Sequence, residues 1–401
     1  MKLLSPQPFW PIRDGIPASY PPLERDARCD VAIIGGGITG ALVAWHLADA
    51  GVDAMVLDRR EVAHGSTAGS TGLLQYEIDR PLWQLAREIG RERAVRNYRR
   101  CREANRAIGR IVRRLGLKCG FERKSSLMVA SRAAHVAALR REFEARRAAG
   151  FAVDWWTRGR IARECTLRHP AAILSRDAAQ VDSYLLAYGL LAAAARKGMP
   201  IHDRTAVTRT RFTVRGVELR TSRGVTVRAK RLVIASGYEA SAHLPPSLTA
   251  LHSTFAIVSE PLRAFGGWPA ERCLIWETAR PYLYLRTTED DRAIIGGFDE
   301  PFQDPDRRDR LLAAKAAALQ RRFRGFFPQI DFELAGVWAG TFAETPHGLP
   351  YIGRHPDVPR TWFALGYGGN GITYSLLAAE LIRDQIAGRP NRDEELFGFD
   401  D

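Results

Sequence analysis

Apolar residues switch between two spacings along the chain, and the switches mark the expected elements. Asp30-Val-Ala-Ile-Ile34 is a short apolar run ending in three glycines, Ala41 to Ala50 favours a helix, and Ala54-Met-Val-Leu57 is a second apolar run ending at Asp58. This order predicts strand, tight turn, helix, strand. Residues 81–149 read as mostly helical with a break near 116–130, and the Ala- and Leu-rich stretch from Asp182 to Arg196 reads as a further helix. From Ile201 to Gly237 the spacing becomes two. Phe212, Val214, Val217 and Leu219 precede a Thr221-Ser-Arg-Gly224 turn, and Val225 and Val227 lead into Leu232-Val-Ile-Ala235. A small antiparallel layer returning to a buried strand is expected there. Alternation recurs at Tyr282-Leu-Tyr-Leu-Arg286, followed by Ala293-Ile-Ile295-Gly-Gly297, a helix over about 307–324, a strand at Trp362-Phe-Ala-Leu365, and a last helix to about Ile386. Residues 1–28, rich in proline and aromatics, suit an extended arm rather than a helix or strand.

Composition narrows the class. With 401 residues, 46% apolar and 26% charged, the chain is long enough for two globular domains. No apolar run approaches membrane-spanning length, and Pro6 interrupts any signal-like core, so no membrane span and no processing are expected. The net charge of +14 invites a nucleic-acid reading. Its densest stretch argues otherwise: Ala104, Ile108, Ile111 and Leu115 recur at helix spacing while the arginines of 102–114 fall mostly on other faces, as on a solvated helix. Cys29, Cys101, Cys119, Cys165 and Cys273 are scattered without a Cys-x-x-Cys or zinc spacing, which predicts neither disulfide framework nor metal site and fits the cytoplasm.

Gly35-Gly-Gly37-Ile-Thr-Gly40 matches Gly-x-Gly-x-x-Gly, a weak signal alone. Here it ends one predicted strand, opens a helix, and is followed by Asp58 at the end of the next strand, which is the context of a dinucleotide fold. Gly35 would allow the tight turn, Gly37 close approach of a pyrophosphate, Gly40 close helix packing, and Asp58 would accept a ribose hydroxyl. A second match, Gly366-x-Gly368-x-x-Gly371, has no following strand or acidic residue and is no complete dinucleotide unit; its helix N-terminus suits a developing negative charge on a ligand.

These residues resemble the FAD-dependent oxidoreductases of the D-amino acid oxidase, glycine oxidase and sarcosine oxidase type. The resemblance runs in order through Asp30 to Gly40, Asp58, the loop Gly65-Ser-Thr-Ala-Gly-Ser-Thr-Gly72, Val207, Ala235-Ser-Gly237, Ile295-Gly-Gly297, Trp338-Ala-Gly340, Gly348-Leu-Pro-Tyr-Ile-Gly353 and Gly366 to Gly371. The N-terminal arm is similar to that of γ-glutamylputrescine oxidase relatives. The resemblance implies an α/β fold: a three-layer, Rossmann-like FAD-binding domain with a second substrate domain of mixed, mainly antiparallel sheet plus helices. It implies an arm over 1–29, the FAD domain from 30–80, 160–250 and 335–401, and the substrate domain from 81–159 and 251–334.

The implied cofactor is noncovalent FAD. Gly35, Gly36, Gly37, Gly40, Asp58 and Arg59 would hold its ADP half, and Val207 the adenine. Ser66, Thr67 and Gly72 would pass the pyrophosphate and flavin, flanked by Ala235 and Gly237. Gly368, Gly369, Asn370, Gly371 and Ile372 would face the flavin O2 side. The implied activity is hydride transfer from the carbon bearing an amine to flavin N5, with oxygen or an electron-transfer acceptor taking the electrons. A hydroxy-acid dehydrogenase and a non-catalytic FAD-binding subunit are the alternatives.

Two departures bear on substrate. Phe342 stands where amino-acid oxidases carry a carboxylate-clamping arginine, leaving Arg286 or Arg280 as substitutes, and no lysine lies between Lys230 and Lys315, where sarcosine oxidases place one above the flavin. Tyr282, Tyr284 and Arg286 share a strand face and are candidate substrate contacts, and Glu344 is a candidate partner for a cationic amine. His252, His347, Trp276 and Tyr367 read mainly as structural. The resemblance implies a small amine or amino acid as substrate, and the sequence leaves the oligomeric state open.

Overall fold

A computed structural model describes residues 2–243 and 248–399. Two sheets organise the chain. The first has its parallel core in the order Ile201–His202, Ala54–Leu57, Ala27–Ile34, Thr226–Ile234 and Thr361–Leu365, and Tyr351–Arg354 joins antiparallel at the edge. Val31, Ile33 and Val56 are fully buried, as expected of parallel strands covered on both faces. One cover is helical: Ile38–Asp49 lies between Ser183–Arg196 and Gly371–Ile386. The other is the antiparallel meander Val207–Thr213, Gly216–Thr221 and Thr226–Ile234, whose Val217 and Leu219 pack with Leu57, Ile234 and Phe363. This is the expected three-layer α/β arrangement.

The second sheet has ten strands and is mainly antiparallel, with one parallel pair, Leu274–Glu277 against Glu122–Val129. By sheet membership, Ala171–Gln180 and Leu334–Glu344 belong here, so the chain changes sheets later than the expected points at 160 and 335. Helix Pro305–Phe326 covers one face through Leu319 and Phe323, and Asp304 caps it by accepting from the Arg307 N–H at 2.7 Å. The break in the helical stretch after Leu115 is itself the strand Glu122–Val129.

The strand Ala293–Glu300 does not alternate regularly. Phe255 pairs with Gly297 and Ser253 with Glu300, so Thr254 alone opposes Phe298 and Asp299. Phe298 takes φ 55° and Gly297 φ 132° at this bulge. A bulge of this kind turns the following side chain to the other face of the sheet.

The amino-terminal arm departs from expectation. Leu4–Ser5 pairs with Ala339 and Gly340, and Phe9–Asp14 is a helix. Pro11 is tolerated because first-turn residues of a helix have no intrahelical N–H partner to lose. The arm is pinned by buried Trp10, whose Nε1 donates to the Ser70 carbonyl at 2.6 Å, and by Arg13, whose Nη2 meets Asp182 Oδ2 at 2.5 Å.

Candidate functional site

A single cavity of about 1260 Å³ runs from the glycine turn of the first sheet to the face of the second. Drug-sized pockets are about 300–1,000 Å³, so this one has room for a dinucleotide and a small second ligand. Its nucleotide end is shaped by close backbone approach. A β-carbon on Gly35, which has φ 107°, would stand 2.4 Å from the Ala235 carbonyl oxygen, and one on Gly40 would stand 1.8 Å from that of Gly35. Gly36 and Gly40 therefore act by packing and do not line the cavity, whereas Gly35 and Gly37 do.

Asp58 fastens this turn. Its Oδ2 accepts from the Gly36 N–H at 2.6 Å and its Oδ1 from the Arg60 N–H at 2.8 Å, while the carboxylate still borders the cavity. Burial pushes Asp58 above the usual carboxylate range, and the two N–H groups oppose that shift. Arg59 lines the same end and pairs with Glu239, and Val207, Ala235 and Gly237 complete it. Thr67 Oγ1 accepts from the Ile38 N–H at 2.9 Å, capping the helix from the neighbouring loop.

Farther along, Gly72, Gly368, Gly369, Gly371 and Ile372 line the middle of the cavity. Gly371 opens a 16-residue helix there. Asn370 was expected in this wall; instead its Nδ2 donates to the Gln75 and Glu77 carbonyls at 3.2 and 2.9 Å, anchoring the glycine loop from behind. The residues fit the expected FAD. The wall that would face its pyrophosphate and flavin is largely backbone, and Ser66 Oγ, Ser236 Oγ and Tyr367 Oη are buried there without a hydrogen-bond partner, as groups awaiting a polar ligand would be.

At the far end the cavity becomes a chamber against the second sheet, lined by Leu251, Thr254, Tyr282, Tyr284, Asp299 and Phe342. Tyr282 donates to Asp79 Oδ1 at 2.8 Å, and Asp79 Oδ2 accepts from the Gly369 N–H at 2.9 Å, tying the tyrosine to the glycine loop. A β-carbon on Gly296 would stand 2.4 Å from Tyr284 Oη, so that glycine makes room for the ring. Burial raises both phenols, Tyr284 to about 12 and Tyr282 well above its ordinary value, so each is a hydrogen-bond donor and neither is a base near neutrality.

Two expected chamber residues lie elsewhere. Arg286 is 2% exposed and outside the cavity wall. Its Nη1 donates to the carbonyls of Thr71, Gly72 and Val181, and its Nε to that of Thr287. Burial without a paired carboxylate pushes it down to about 10. Both tyrosines line the chamber, although Tyr282 lies ahead of the strand Tyr284–Thr287, and at Arg286 the loop at Gly72 closes over the strand. Glu344 borders a separate cavity of about 180 Å³ with Asp79, Arg80 and Arg280, and its Oε2 lies 3.7 Å from His252 Nε2. Burial, then Asp79, raises its carboxyl, with His252 and Arg280 opposing. Arg280 faces the same small cavity, stacked 4.7 Å over the Tyr282 ring.

Asp299 and Asp79 were not anticipated. The signal for Asp299 was an acidic residue two positions after the Ala293–Gly297 run, but regular alternation assigns it to the face of Ile295, away from the chamber.

The model of the FAD dependent oxidoreductase family, DAO, matches residues 30–385. Among curated proteins, the chain is 27% identical over 385 residues to gamma-glutamylputrescine oxidoreductase of Escherichia coli (strain K12), covering 94% of this chain and 87% of that one. It is 27% identical over 372 residues to glycine oxidase of Geobacillus kaustophilus (strain HTA426), covering 90% and 93%. Among solved structures, glycine oxidase from Geobacillus kaustophilus superposes with a TM-score of 0.77 at 22% identity, over 94% of this chain and 99% of that one. L-proline dehydrogenase from P.horikoshii superposes with a TM-score of 0.76 at 19% identity, over 93% and 97%.

Proposed function

The chain belongs to the DAO family of FAD-dependent oxidoreductases, and from that premise we propose that it oxidises the C–N bond of a small amine or amino acid. One observation carries the reading: the glycine-lined cradle and the chamber at Tyr282 and Tyr284 are two ends of one cavity. The first sheet then serves as the FAD-binding half and the second as the substrate half. When bound, FAD supplies the two-electron acceptor, taking a hydride from the carbon that carries the nitrogen.

The chain's own residues orient and polarise. Gly371 presents the N-terminus of a long helix to the middle of the cavity, where its unpaired N–H groups favour negative charge on whatever faces them. Tyr284 keeps its phenol proton and faces the chamber, Tyr282 gives its proton to Asp79 in a hydrogen bond and contributes its ring to the wall, and Phe342 and Leu251 add apolar surface beside them. Among the described residues neither cysteine nor histidine lines the cavity, which supports noncovalent FAD.

The chamber wall disfavours a hydroxy-acid dehydrogenase. A hydroxy acid's only charge is its carboxylate, which needs a cation, and the arginines in the wall, Arg59 and Arg60, stand at the nucleotide end; an amine or amino acid also brings an ammonium group. Five free cysteines support a reducing, cytoplasmic location. No helix among the described residues is long and apolar enough to cross a membrane.

Anaerobic mixing of the FAD-loaded protein with a panel of amines, amino acids and hydroxy acids tests the reading by bleaching of the flavin absorbance. Bleaching by an amine or amino acid is expected. Bleaching by hydroxy acids alone, or by nothing, would overturn it. Admission of air then separates oxygen from another electron acceptor, because rapid return of the yellow colour requires oxygen to take the electrons.

A further inference from the structure

The chamber holds a carboxylate that the catalytic reading does not use. Asp299 follows the bulge at Gly297 and Phe298 and stands across from Thr254. Regular alternation would have buried it with Ile295 under the helix Pro305–Phe326; the extra residue turns it into the chamber and sends Phe298 to the other face instead. Its Oδ1 is buried without a hydrogen-bond partner. Each neighbouring carboxylate is occupied: Asp304 caps a helix, Asp79 holds Tyr282 and Gly369, and Glu344 faces His252. A buried acceptor left open in a ligand chamber calls for a donor from the ligand.

We propose that Asp299 is the substrate-recognition group of the chamber, that it holds a cationic ammonium group, and that the substrate is an amine with no carboxylate at that end. The inference rests on the amine-oxidising reading above and narrows it. No arginine, lysine or histidine of the described residues lines the chamber, so a carboxylate placed there would meet Asp299 with nothing to neutralise it. Arg280 opens on the smaller cavity and Arg286 is engaged by backbone carbonyls.

The surroundings give the site a pH signature. Burial pushes Asp299 up to about 7, Asp79 and Glu344 add to the shift, and the Thr254 hydroxyl and Arg280 oppose it; the protonated Tyr282 and Tyr284 also face it. An alkylammonium ion is therefore bound more tightly as pH rises through that value and the carboxyl ionises.

The test is calorimetric titration of the FAD-loaded protein with n-butylamine and with butyrate, at about pH 6 and about pH 8, on either side of the Asp299 carboxyl. We expect the wild type to bind butylamine more tightly at the higher pH and to reject butyrate. Asp299→Asn should weaken butylamine at least tenfold, abolish the pH dependence and leave FAD content unchanged, and Asp299→Glu should restore part of the affinity. Butyrate binding more tightly than butylamine, wild-type affinity in Asp299→Asn, or no butylamine binding to the wild type at millimolar concentration would each overturn the proposal. The titrations are made without air on protein whose flavin has been reduced beforehand, so no turnover occurs and the readouts are independent of whether an amine bleaches the flavin.

Discussion

At the nucleotide end of the cavity, Gly35 and Gly40 bring main chain to within contact of main chain, and one carboxylate, Asp58, ties the turn together. At the chamber end the wall is side chain: two half-buried tyrosines, a phenylalanine and an open carboxylate, carried by segments distant in sequence. The first end holds its shape by excluding atoms, the second by positioning them. Substitutions at the glycines should therefore act on folding and cofactor retention together, whereas substitutions in the chamber should act on ligand choice and leave the fold in place.

The largest effect is expected for Gly40→Ala. Its new β-carbon, 1.8 Å from the Gly35 oxygen, cannot be accommodated without moving the helix. A loss of about 3 kcal/mol or more in denaturant unfolding is expected, with colourless purified protein. A yellow protein of ordinary stability would remove the contrast between the two ends.

Arg286→Met comes next. It leaves the carbonyls of Thr71, Gly72 and Val181 without their donor, a destabilisation of about 2 to 3 kcal/mol. Its signature is a lowered melting temperature with no specific loss of carboxylate-bearing ligands. A selective loss of those ligands would instead return Arg286 to the substrate's side.

Asp58→Ala removes the acceptor of the Gly36 and Arg60 N–H groups, and with it the acceptor proposed for a ribose hydroxyl. A loss of about 1.5 to 3 kcal/mol in FAD binding, roughly ten- to hundred-fold in affinity, should appear in cofactor titration. A larger fall in stability than in affinity would show that the carboxylate serves the turn more than the cofactor.

A pH-dependent effect concerns ligand-free stability. The folded-state Asp299 carboxyl, raised to about 7, keeps its proton in a pH range where the unfolded chain has released it. Stability is therefore lost as pH rises from the ordinary carboxylate range towards 7, by about 1.4 kcal/mol for each pH unit crossed between the unfolded and folded values. Asp299→Asn should flatten that decline in melts run without amine, and equal slopes for the two proteins would count against a buried carboxyl.

The smallest effect is expected at Glu344. Bordering the side cavity and facing His252, its change to Gln should alter kcat/KM by less than about 0.5 kcal/mol. A tenfold fall would place the chamber's anionic function there after all.

The same contrast explains what could be read in advance. Gly35 to Asp58 is a local pattern: strand, turn and helix follow one another, and each glycine answers a backbone demand that composition alone reveals. The meander and the terminal helix were legible for the same reason. The chamber was legible only where alternation stayed regular, at Tyr282 and Tyr284. It failed at Asp299, because a one-residue bulge reverses the face, and at Glu344, because the wall between the two cavities is set by residues from other strands. The amino-terminal arm was misread for a further reason: its helix and strand are held by distant Asp182 and Ala339, so local proline content was a poor guide.

The bulge at Phe298 has a consequence for inheritance. Because two residues there oppose Thr254 alone, loss of the Asp299 codon would restore regular pairing and bring Phe298 to the chamber face. Loss of the Phe298 codon would restore the same pairing and keep the aspartate. The character of this wall, anionic or apolar, thus hangs on which of two adjacent codons a lineage retains. Among descendants of such a gene, ligand preference can change by a deletion in an otherwise conserved strand, and an alignment scored column by column would record that change as a gap.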